Sequence, residues 1–371
     1  DRGRAVSSGE RADAGRRPLD GQLPGDDGMN AVSYPALLEK ILSGNDLAEP
    51  EAHALMHTLA GGELQPALAG ALLAALRAKG ECSEEIRGFA TAMRELALRP
   101  AIPDGTPTVD TVGTGGDGSG SLNLSTGTGL LAAACGARVV KHGNRSISSR
   151  CGSADMLECL GMPLPLDEEA AVAALGATGF TFLFAPAYHP AMKAIMPVRG
   201  ALGVRTVFNM LGPLTNPAAP PYQLIGAFSP EAARLMADTL AGMPIERAFV
   251  VHGEPGWDEA SPAGSFILYD VRPGSVVAST RAPEDYGVPR CAPEALAGGD
   301  AAHNASELER VFSGDDQGPH RHALLMGTSL VLEVMGNARD AQDGVQQAAD
   351  AIDSGRAQQF LTRFREHFKA A

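Results

Sequence analysis

Apolar positions recur at helical spacing in the first part of the chain. From residue 34 to residue 99 they return every three or four positions, and glycines divide the pattern into segments. The clearest stripe consists of Leu64, Leu68, Leu72 and Leu76. This spacing predicts a small helical domain over residues 31–102.

The pattern changes after residue 103, where short runs of apolar and β-branched residues alternate with helical segments. The runs at residues 108–112, 137–141, 180–184, 223–227 and 247–252 predict strands, and residues 126–134, 167–174 and 230–241 predict helices. Residues 265–270 and 275–279 look like antiparallel strands, and residues 322–368 are helical again. Such alternation is typical of a mostly parallel sheet flanked by helices. We therefore predict the α/β class, with a small N-terminal helical domain and a larger α/β domain over residues 103–371.

Two further segments have a composition of their own. Residues 1–30 are rich in glycine, arginine and aspartate and poor in large apolar side chains, which predicts a disordered N-terminal extension. Met29 within it is a candidate start of the functional chain. The proline-rich connection over residues 186–217 is long for a compact domain, and long ordered connections tend to be functional. We expect its part near residues 186–206 to pack with the helical domain.

The first predicted strand of the α/β domain runs into a glycine-rich turn. Five glycines fall between residues 113 and 120, and an apolar helix follows. Glycine permits positive φ and leaves backbone N–H groups bare, and a helix N-terminus adds a positive dipole. The turn is neither GxGxxG nor GxxxxGK[ST], so the dinucleotide-binding and P-loop fingerprints are absent. The turn nonetheless predicts a seat for an anion.

The next predicted strand ends in a cationic loop. Residues 141–150 contain Lys141, Arg145 and Arg150, and no carboxylate follows until Asp155. Phosphate is the anion that suits such a loop, and open α/β sheets bind their ligands at the strand ends. Two phosphate-suited loops on successive strands are stronger evidence than either loop alone.

The composition limits the classes of partner. The 371 residues carry a formal net charge of −14, which argues against nucleic acid as a partner because duplex binding relies on a basic face. If the substrate is an anion, its binding site must therefore be locally positive although the whole chain is negatively charged. No apolar run reaches transmembrane length, so no membrane partner is expected. Five cysteines without a CxxC predict free thiols in a reducing cytoplasm, and nine histidines without HExxH or Cys/His pairing argue against zinc.

Six motifs occur in order along the chain. They are GTGGD at 113–117, NLST at 123–126, KHGNRSISS at 141–149, GSAD at 152–155, NMLGPLTNP at 209–217 and the pair Asp258-Glu259. With these motifs the chain, from about Tyr34 to its C-terminus, resembles the anthranilate phosphoribosyltransferase family. The resemblance implies a nucleoside phosphorylase/phosphoribosyltransferase-like fold and a homodimer. It also implies transfer of the phosphoribosyl group of 5-phosphoribosyl 1-diphosphate (PRPP) to the amino group of anthranilate, with Mg²⁺, in tryptophan biosynthesis.

The resemblance also implies roles for individual residues. The implied PRPP-binding residues are Gly113, Gly116, Asp117, Ser121, Asn123, Leu124, Ser125, Thr126, Lys141, His142, Gly143, Asn144, Arg145, Ser146, Ile147, Ser148, Ser149 and Ser153. The implied anthranilate-binding residues are Gly113, Asn144 and Arg199, and the implied Mg²⁺ ligands are Ser125, Asp258 and Glu259. Lys141 and Arg145 are the expected electrostatic stabilisers of the leaving diphosphate, and no residue is assigned as a certain acid or base. Two departures from the family pattern, Trp257 and MGTSL at 326–330, lie outside the phosphate loops.

Simpler explanations stay open for single residues. The Asp258-Glu259 pair can be part of a solvated loop, and a lone Arg199 can form a surface ion pair. His142 and His189 can relay a proton, although packing or hydrogen bonding is the more common role of a single histidine.

Two other functions stay open as well. A relative that keeps the fold and binds nucleic acid without catalysis is opposed by the acidic charge and by the intact Asp258-Glu259 pair. The related pyrimidine nucleoside phosphorylases share the fold, and an assay with thymidine and phosphate separates that activity from the transferase.

Overall fold

The computed structural model of the chain describes residues 33–146 and 150–370. The predicted disordered extension over residues 1–30, with Met29 in it, lies outside the described residues. Ile147, Ser148 and Ser149 of the cationic loop lie outside them as well.

Four helices form the N-terminal bundle. Helix α1 spans Tyr34–Leu42, α2 Glu49–Gly61, α3 Pro66–Lys79 and α4 Ser83–Glu95. Apolar residues of the sequence pattern are buried here, with Leu72 and Leu76 fully inside. Gly88 lets α4 approach α2 closely, because a Cβ at this position would lie 2.4 Å from the carbonyl oxygen of Glu49.

One seven-stranded sheet forms the centre of the larger domain. Its strands are β1 (Thr108–Gly113), β2 (Arg138–Gly143), β3 (Phe180–Phe184), β4 (Tyr222–Gly226), β5 (Arg247–Gly253), β6 (Phe266–Arg272) and β7 (Ser275–Arg281). The order is β3-β2-β1-β4-β5-β6-β7, in which the first five are parallel and the last two antiparallel. The predicted mostly parallel sheet is confirmed. The strand order reverses between β1 and β4, and at such a switch point open α/β sheets leave a crevice beyond the carboxyl ends of the strands.

Helices connect and flank the strands. They are α5 (Leu124–Ala134), α6 (Ser153–Cys159), α7 (Glu168–Thr178), α8 (Ala185–Tyr188), α9 (Met192–Leu202), α10 (Phe208–Leu211), α11 (Pro230–Leu240), α12 (Ala301–Phe312), α13 (Pro319–Val334), α14 (Ala341–Asp353) and α15 (Arg356–Ala370). Helix α5 begins at Leu124 rather than at the predicted residue 126. The predicted helical C-terminus consists of three helices, α13 to α15. None of the helices that the structure describes is long and apolar enough to cross a membrane, and the cytoplasmic location stays a prediction.

The two faces of the sheet carry separate apolar cores. Leu224 and Phe249 belong to the core that includes α5 and α13. The neighbouring residues Ile225 and Val250 belong to the core that includes α11 and the N-terminal bundle, because successive side chains of a strand point to opposite faces. Ile195 of α9 is buried in this second core, and α9 packs against α2 and α3. The exact boundaries of the two domains stay predictions.

His320, near the start of α13, is a buried titratable group. It is 5% exposed. Burial lowers the pKa of His320 to about 4, although the negative charges of Asp316 and Glu307 act in the opposite direction. An unfolded histidine has a pKa of about 6.5. As the pH falls below that value, the unfolded chain takes up a proton that the folded chain excludes, so the folded state loses stability.

In the wild type, His320 should lower the unfolding free energy by about 2 kcal/mol when the pH falls from about 7.5 to about 5. We expect this part of the decrease to be absent in His320→Gln. Urea denaturation at the two pH values measures this difference. His367→Gln, which changes a histidine on α15 that is not among the groups acting on His320, is the matched control and should keep the wild-type pH dependence. An equal loss in the wild type and in His320→Gln would contradict the prediction.

Candidate active site

Four of the five parallel strands end in a glycine, and three of these glycines lie against the segment that contains Asp258 and Glu259. These three residues are Gly113 of β1, Gly226 of β4 and Gly253 of β5. A Cβ at Gly226 would lie 1.6 Å from the carbonyl oxygen of Asp258, and a Cβ at Gly253 would lie 2.2 Å from that of Glu259. A Cβ at Gly113 would lie 2.4 Å from Asp258 Oδ2. The absence of side chains at the strand ends therefore lets the segment with Asp258 and Glu259 lie directly across them.

Three carboxylates converge at this edge of the sheet. Asp258 Oδ2 accepts a hydrogen bond from Gly115 N at 2.6 Å, and Asp117 Oδ2 accepts one from Asp258 N at 3.3 Å. Glu259 Oε1 accepts a hydrogen bond from Ser125 N at 3.2 Å. Burial and the negative charge of Asp117 raise the pKa of Asp258 to about 7. Burial and the charge of Asp258 raise the pKa of Glu259 well above its ordinary value. Burial and mutual repulsion therefore disfavour the charged forms of these carboxyl groups.

The glycine-rich turn places backbone amides beside the carboxylates. The four glycines between residues 115 and 120 all have positive φ. Asp117 Oδ1 holds the turn by accepting hydrogen bonds from Ser119 N at 3.1 Å and from Ser119 Oγ at 3.0 Å, and Ser119 Oγ lies 3.2 Å from Ser121 Oγ. Within the described part of the chain, the amides of Gly116 and Gly118 have no acceptor. They are donors available to an anion.

The NLST motif forms the start of α5. Asn123 Nδ2 donates to the carbonyl oxygen of Cys151 at 3.2 Å, and Asn123 Oδ1 accepts from Asn304 Nδ2 at 2.8 Å. Thr126 Oγ1 donates to Ser153 Oγ at 3.0 Å. These bonds join the start of α5 to the residues that follow the cationic loop and to α12. Asn304 was missed by the sequence analysis, because nothing in its local sequence relates it to a segment so far away along the chain.

Four of the predicted PRPP-binding residues have buried side chains, namely Leu124, Thr126, Lys141 and His142. Leu124 is 3% exposed and Lys141 is 1% exposed. Lys141 Nζ donates to the carbonyl oxygen of Thr111 and to Ser125 Oγ, the latter at 3.3 Å. Burial lowers the pKa of Lys141, and nearby carboxylates oppose this shift. The charge of Lys141 thus lies beneath the carboxylate cluster rather than on the surface.

Arg145, the other predicted electrostatic residue, is exposed and ion-paired. Its two terminal nitrogens donate to the two oxygens of Glu158, each at 2.5 Å, and one of them also donates to Asp155 Oδ1 at 3.0 Å. Asp155 Oδ2 accepts from Ser146 N at 3.1 Å, and Asn144 Oδ1 accepts from Arg145 N at 2.7 Å. Carboxylates that follow the loop in sequence fold back onto it. Phosphate binding by Arg145 stays a prediction, and it requires the guanidinium to leave or share this ion pair.

His142 and His189 form a buried pair. Their ring centroids are 5.1 Å apart, and His142 Nδ1 lies 3.2 Å from the carbonyl oxygen of Gly212. Burial lowers the pKa of His142 to about 3 and that of His189 to about 4, so both are neutral at neutral pH. Gly143 follows in the chain and packs on Phe182, where a Cβ would lie 2.9 Å from the ring. Packing is therefore the better interpretation of the two histidines.

Arg199 lies on α9. Its guanidinium carbon is 4.9 Å from the ring centroid of Phe208, and one terminal nitrogen is 3.9 Å from Met196 Sδ. Partial burial lowers the pKa of Arg199. Among the described residues Arg199 forms no ion pair. The alternative that Arg199 serves in a surface ion pair is therefore not supported within those residues. The structure shows no hydrogen bond from it to Gly113 or Asn144 within the same residues.

A buried polar network around Asp110, Asn216 and Arg94 lies beneath the strand ends, and the sequence analysis missed it. The Asp110 carboxylate accepts from Asn216 Nδ2 at 2.8 Å and from His142 N at 3.2 Å. Burial raises the pKa of Asp110 to about 6. Arg94 of α4 donates to the carbonyl oxygen of Leu214 at 2.8 Å. The network fastens the NMLGPLTNP segment to β1 and to the bundle, and an aspartate inside an apolar strand was the signal that could have revealed it.

The two departures from the family pattern lie in packed positions. Trp257 is 6% exposed, and its backbone exchanges two hydrogen bonds of 2.9 Å with Gly253. At Gly327, within MGTSL, a Cβ would lie 2.2 Å from Thr128 Oγ1, so glycine lets α13 approach α5. Both positions shape the elements that carry the carboxylates and the start of α5.

Family models and known relatives match most of the chain. Residues 35–97 match the helical bundle domain of a glycosyl transferase family, and residues 105–358 match its a/b domain. An anthranilate phosphoribosyltransferase of Desulforudis audaxviator is 47% identical over 330 residues, which are 89% of this chain and 94% of the relative.

Solved structures give the same result. The anthranilate phosphoribosyltransferase of Thermus thermophilus aligns with a TM-score of 0.83 at 42% identity, over 90% of this chain and 99% of that one. The Saccharomyces cerevisiae enzyme, in complex with PRPP and Mg, aligns with a TM-score of 0.82 at 26% identity, over 91% and 98% of the two chains. Another structure of the yeast enzyme contains 4-fluoroanthranilate. The chain belongs to the anthranilate phosphoribosyltransferase family.

Proposed function

We propose that the chain, as a homodimer, transfers the 5-phosphoribosyl group of PRPP to the amino nitrogen of anthranilate in tryptophan biosynthesis. The bond between ribose C1 and the diphosphate oxygen breaks, a bond between C1 and the nitrogen forms, and the amine loses a proton. The products are N-(5-phosphoribosyl)anthranilate and diphosphate. The observation that carries the proposal is the cluster of Asp117, Asp258 and Glu259 beside unbonded turn amides at the strand ends.

Mg²⁺ is the proposed cofactor, with Ser125, Asp258 and Glu259 as its ligands. The residues fit the ion, because Asp258, which is buried, and its neighbour Glu259 lie side by side at the strand ends, and Glu259 Oε1 lies beside Ser125. Burial and carboxylate repulsion raise the pKa of both groups, and a bound cation would relieve both effects. The Ser125 hydroxyl adds a neutral oxygen. Mg²⁺ prefers a few protein oxygens together with phosphate. When bound, the ion supplies the positive charge that stabilises the departing diphosphate.

Backbone groups of the glycine-rich turn and of the start of α5 hold the diphosphate in this proposal. The amides of Gly116 and Gly118 and the N-terminus of α5 offer hydrogen-bond donors for phosphate oxygens. Positive-φ glycines and the Asp117 bonds fix the turn before any ligand arrives. Donors placed in advance need no reorganisation as charge develops on the leaving group.

The acceptor site is proposed around Arg199. Anthranilate carries a carboxylate, and the guanidinium of Arg199 has no carboxylate partner among the described residues. Partial burial beside Phe208 strengthens a charge-assisted hydrogen bond there, because less water screens it. Gly113 and Asn144 are the proposed further contacts of anthranilate.

The nucleophile needs little help from a base. The amino nitrogen of anthranilate is neutral at pH 7 and carries its lone pair before attack, so proton removal can follow bond formation. The neutral, buried state of His142 and His189 agrees with a reaction that uses no charged histidine.

The proposal is tested by following anthranilate fluorescence together with diphosphate release. We expect turnover only when PRPP, anthranilate and Mg²⁺ are all present. Thymidine with phosphate tests the phosphorylase alternative, and a gel shift with single-stranded DNA tests the nucleic-acid alternative. Release of thymine without any loss of anthranilate would overturn the proposal.

Removing the charge of the proposed metal ligands should weaken substrate binding and at the same time stabilise the metal-free fold. We expect Asp258→Asn with Glu259→Gln to abolish Mg²⁺-dependent PRPP binding. The metal-free protein should become about 0.5–2 kcal/mol more stable, because repulsion between buried carboxylates is relieved. Calorimetric binding and thermal unfolding measure the two effects. Asp104→Asn with Glu294→Gln, at two exposed positions, is the matched control, and wild-type activity in the first double variant would rule the pair out as ligands.

A side chain at position 226 should disturb the proposed substrate site, because Gly226 lies against the backbone of Asp258. The Cβ in Gly226→Ala would clash with the backbone of Asp258, so the carboxylate segment must move. We expect PRPP affinity to fall at least about tenfold, roughly 1.4 kcal/mol, while the circular dichroism spectrum stays that of a folded protein. Gly176→Ala in α7 is the control, because its Cβ would meet nothing within 4 Å. Unchanged PRPP affinity in Gly226→Ala would show that the segment's position does not matter for binding.

Arg199 gives the sharpest test of the acceptor. Loss of a charge-assisted hydrogen bond of about 1.5–3 kcal/mol should raise the KM for anthranilate about tenfold to a hundredfold in Arg199→Ala, and leave the KM for PRPP nearly unchanged. Arg205→Ala is a matched control, since Arg205 also stacks on an aromatic ring, that of Phe228 at 4.9 Å. A raised KM for PRPP with an unchanged KM for anthranilate would place Arg199 in the donor site instead.

A further inference from the structure

A cluster of two histidines and one glutamate lies on the N-terminal bundle. His53 and His57 stand one turn apart on α2, and Glu95 is the last residue of α4. Glu95 Oε2 lies 2.7 Å from His53 Nε2 and 3.0 Å from His57 Nε2. The three atoms lie within 4.8 Å of one another. Two imidazoles and one carboxylate thus converge on one point of the surface.

Close packing of the two helices produces this convergence. At Gly88 of α4 a Cβ would lie 2.4 Å from the carbonyl oxygen of Glu49 and 2.9 Å from His53 N. Glycine at this position therefore brings the α4 backbone against the first turns of α2. The ligand atoms are held by two packed helices rather than by a loop, and such a framework favours a defined geometry.

A second cluster of potential ligands, with a different composition, already contains a cation of the protein. Asp46, Cys82 and Glu85 also lie within 4.8 Å of one another. Lys79 Nζ is already there, at 2.5 Å from Asp46 and 3.0 Å from Glu85. Glu85 also accepts hydrogen bonds from Leu47 N at 2.9 Å and Cys82 N at 3.0 Å. That cluster already has its cation and its donors.

In the described part of the chain, no lysine or arginine joins the cluster of His53, His57 and Glu95. Glu95 pairs with the two histidines there. The side chains of His53, His57 and Glu95 are 33%, 38% and 46% exposed, so an ion can reach them from solvent.

We propose that His53, His57 and Glu95 form a binding site for a divalent transition-metal ion of the zinc class, with two imidazole nitrogens and one carboxylate oxygen as ligands and a water in the fourth position. Zinc accepts this ligand set at about 2.0–2.2 Å. Tetrahedral ligands at such distances stand about 3.3 Å apart, which a small outward rotation of the exposed Glu95 side chain provides. Imidazole ligands favour this class over Mg²⁺, which prefers oxygen. No zinc motif is visible in the sequence because the third ligand comes from another helix.

The site is separate from the proposed active site and does not rest on the proposed function. Its ligands lie on α2 and α4, whereas the proposed Mg²⁺ ligands lie at the strand ends. A bound ion would link the two helices, and binding to the folded state alone stabilises it. Binding can therefore be measured without any assay of activity.

Calorimetric titration of the whole chain with Zn²⁺, in excess Mg²⁺, tests the site, and Co²⁺ reports its geometry by visible absorption. We expect one Zn²⁺ per chain, and an increase in Kd of at least about tenfold in each of His57→Gln and Glu95→Gln. His303→Gln, an exposed histidine elsewhere, should bind as the wild type does. The Asp258→Asn with Glu259→Gln protein should also keep the Zn²⁺ site.

Three outcomes would overturn the proposal. The first is the absence of Zn²⁺ binding by the wild-type chain. The second is an unchanged Kd in both His57→Gln and Glu95→Gln. The third is loss of binding in His303→Gln or in the Asp258/Glu259 double variant, with His57→Gln unaffected, because it would place the ion elsewhere.

Discussion

The site depends on contact between the Asp258-Glu259 segment and the glycine ends of three parallel strands. At Gly226 the two backbones approach so closely that no side chain fits between them. The backbone of Asp258 is consequently held against the strand ends, and Asp117 in the turn accepts a hydrogen bond from the Asp258 amide. Burial of like charges in one place opposes folding. The surrounding packing maintains this arrangement, and a cation that binds there relieves the repulsion.

This contact changes the explanation of how an acidic chain binds an anionic substrate. The sequence suggested a local excess of cations, centred on Lys141 and Arg145. In the structure Lys141 is buried beneath the carboxylates, and Arg145 is ion-paired with Glu158 and Asp155. At the proposed diphosphate site the available groups are acidic side chains, which suit Mg²⁺, and turn amides that have no acceptor among the described residues. The positive charge that the proposed diphosphate site needs therefore comes from the proposed metal ion and the backbone amides more than from basic side chains.

The sequence predicted what is encoded locally. Strand and helix order follow from apolar periodicity, and the glycine turn and the Asp258-Glu259 pair are visible as short motifs. Contacts between distant positions were not predictable in this way. Asn216 reaches Asp110 across 106 positions, and Arg94 reaches the Leu214 carbonyl across 120. Even the partner of Arg145, only 13 positions away, depends on how the loop turns back onto α6.

The missed network connects the proposed donor and acceptor sites. Arg199 packs on the ring of Phe208, and Phe208 begins the segment that leads to Asn216. Asn216 is hydrogen-bonded to Asp110, on the strand that ends in Gly113. Since Asp110 is fully buried, loss of its partner would leave a polar group without compensation, which is far costlier than loss of a surface bond. The packing on Phe208 and the buried hydrogen bonds beneath the site therefore connect Arg199, the proposed anthranilate-binding residue, to the strand that ends in Gly113.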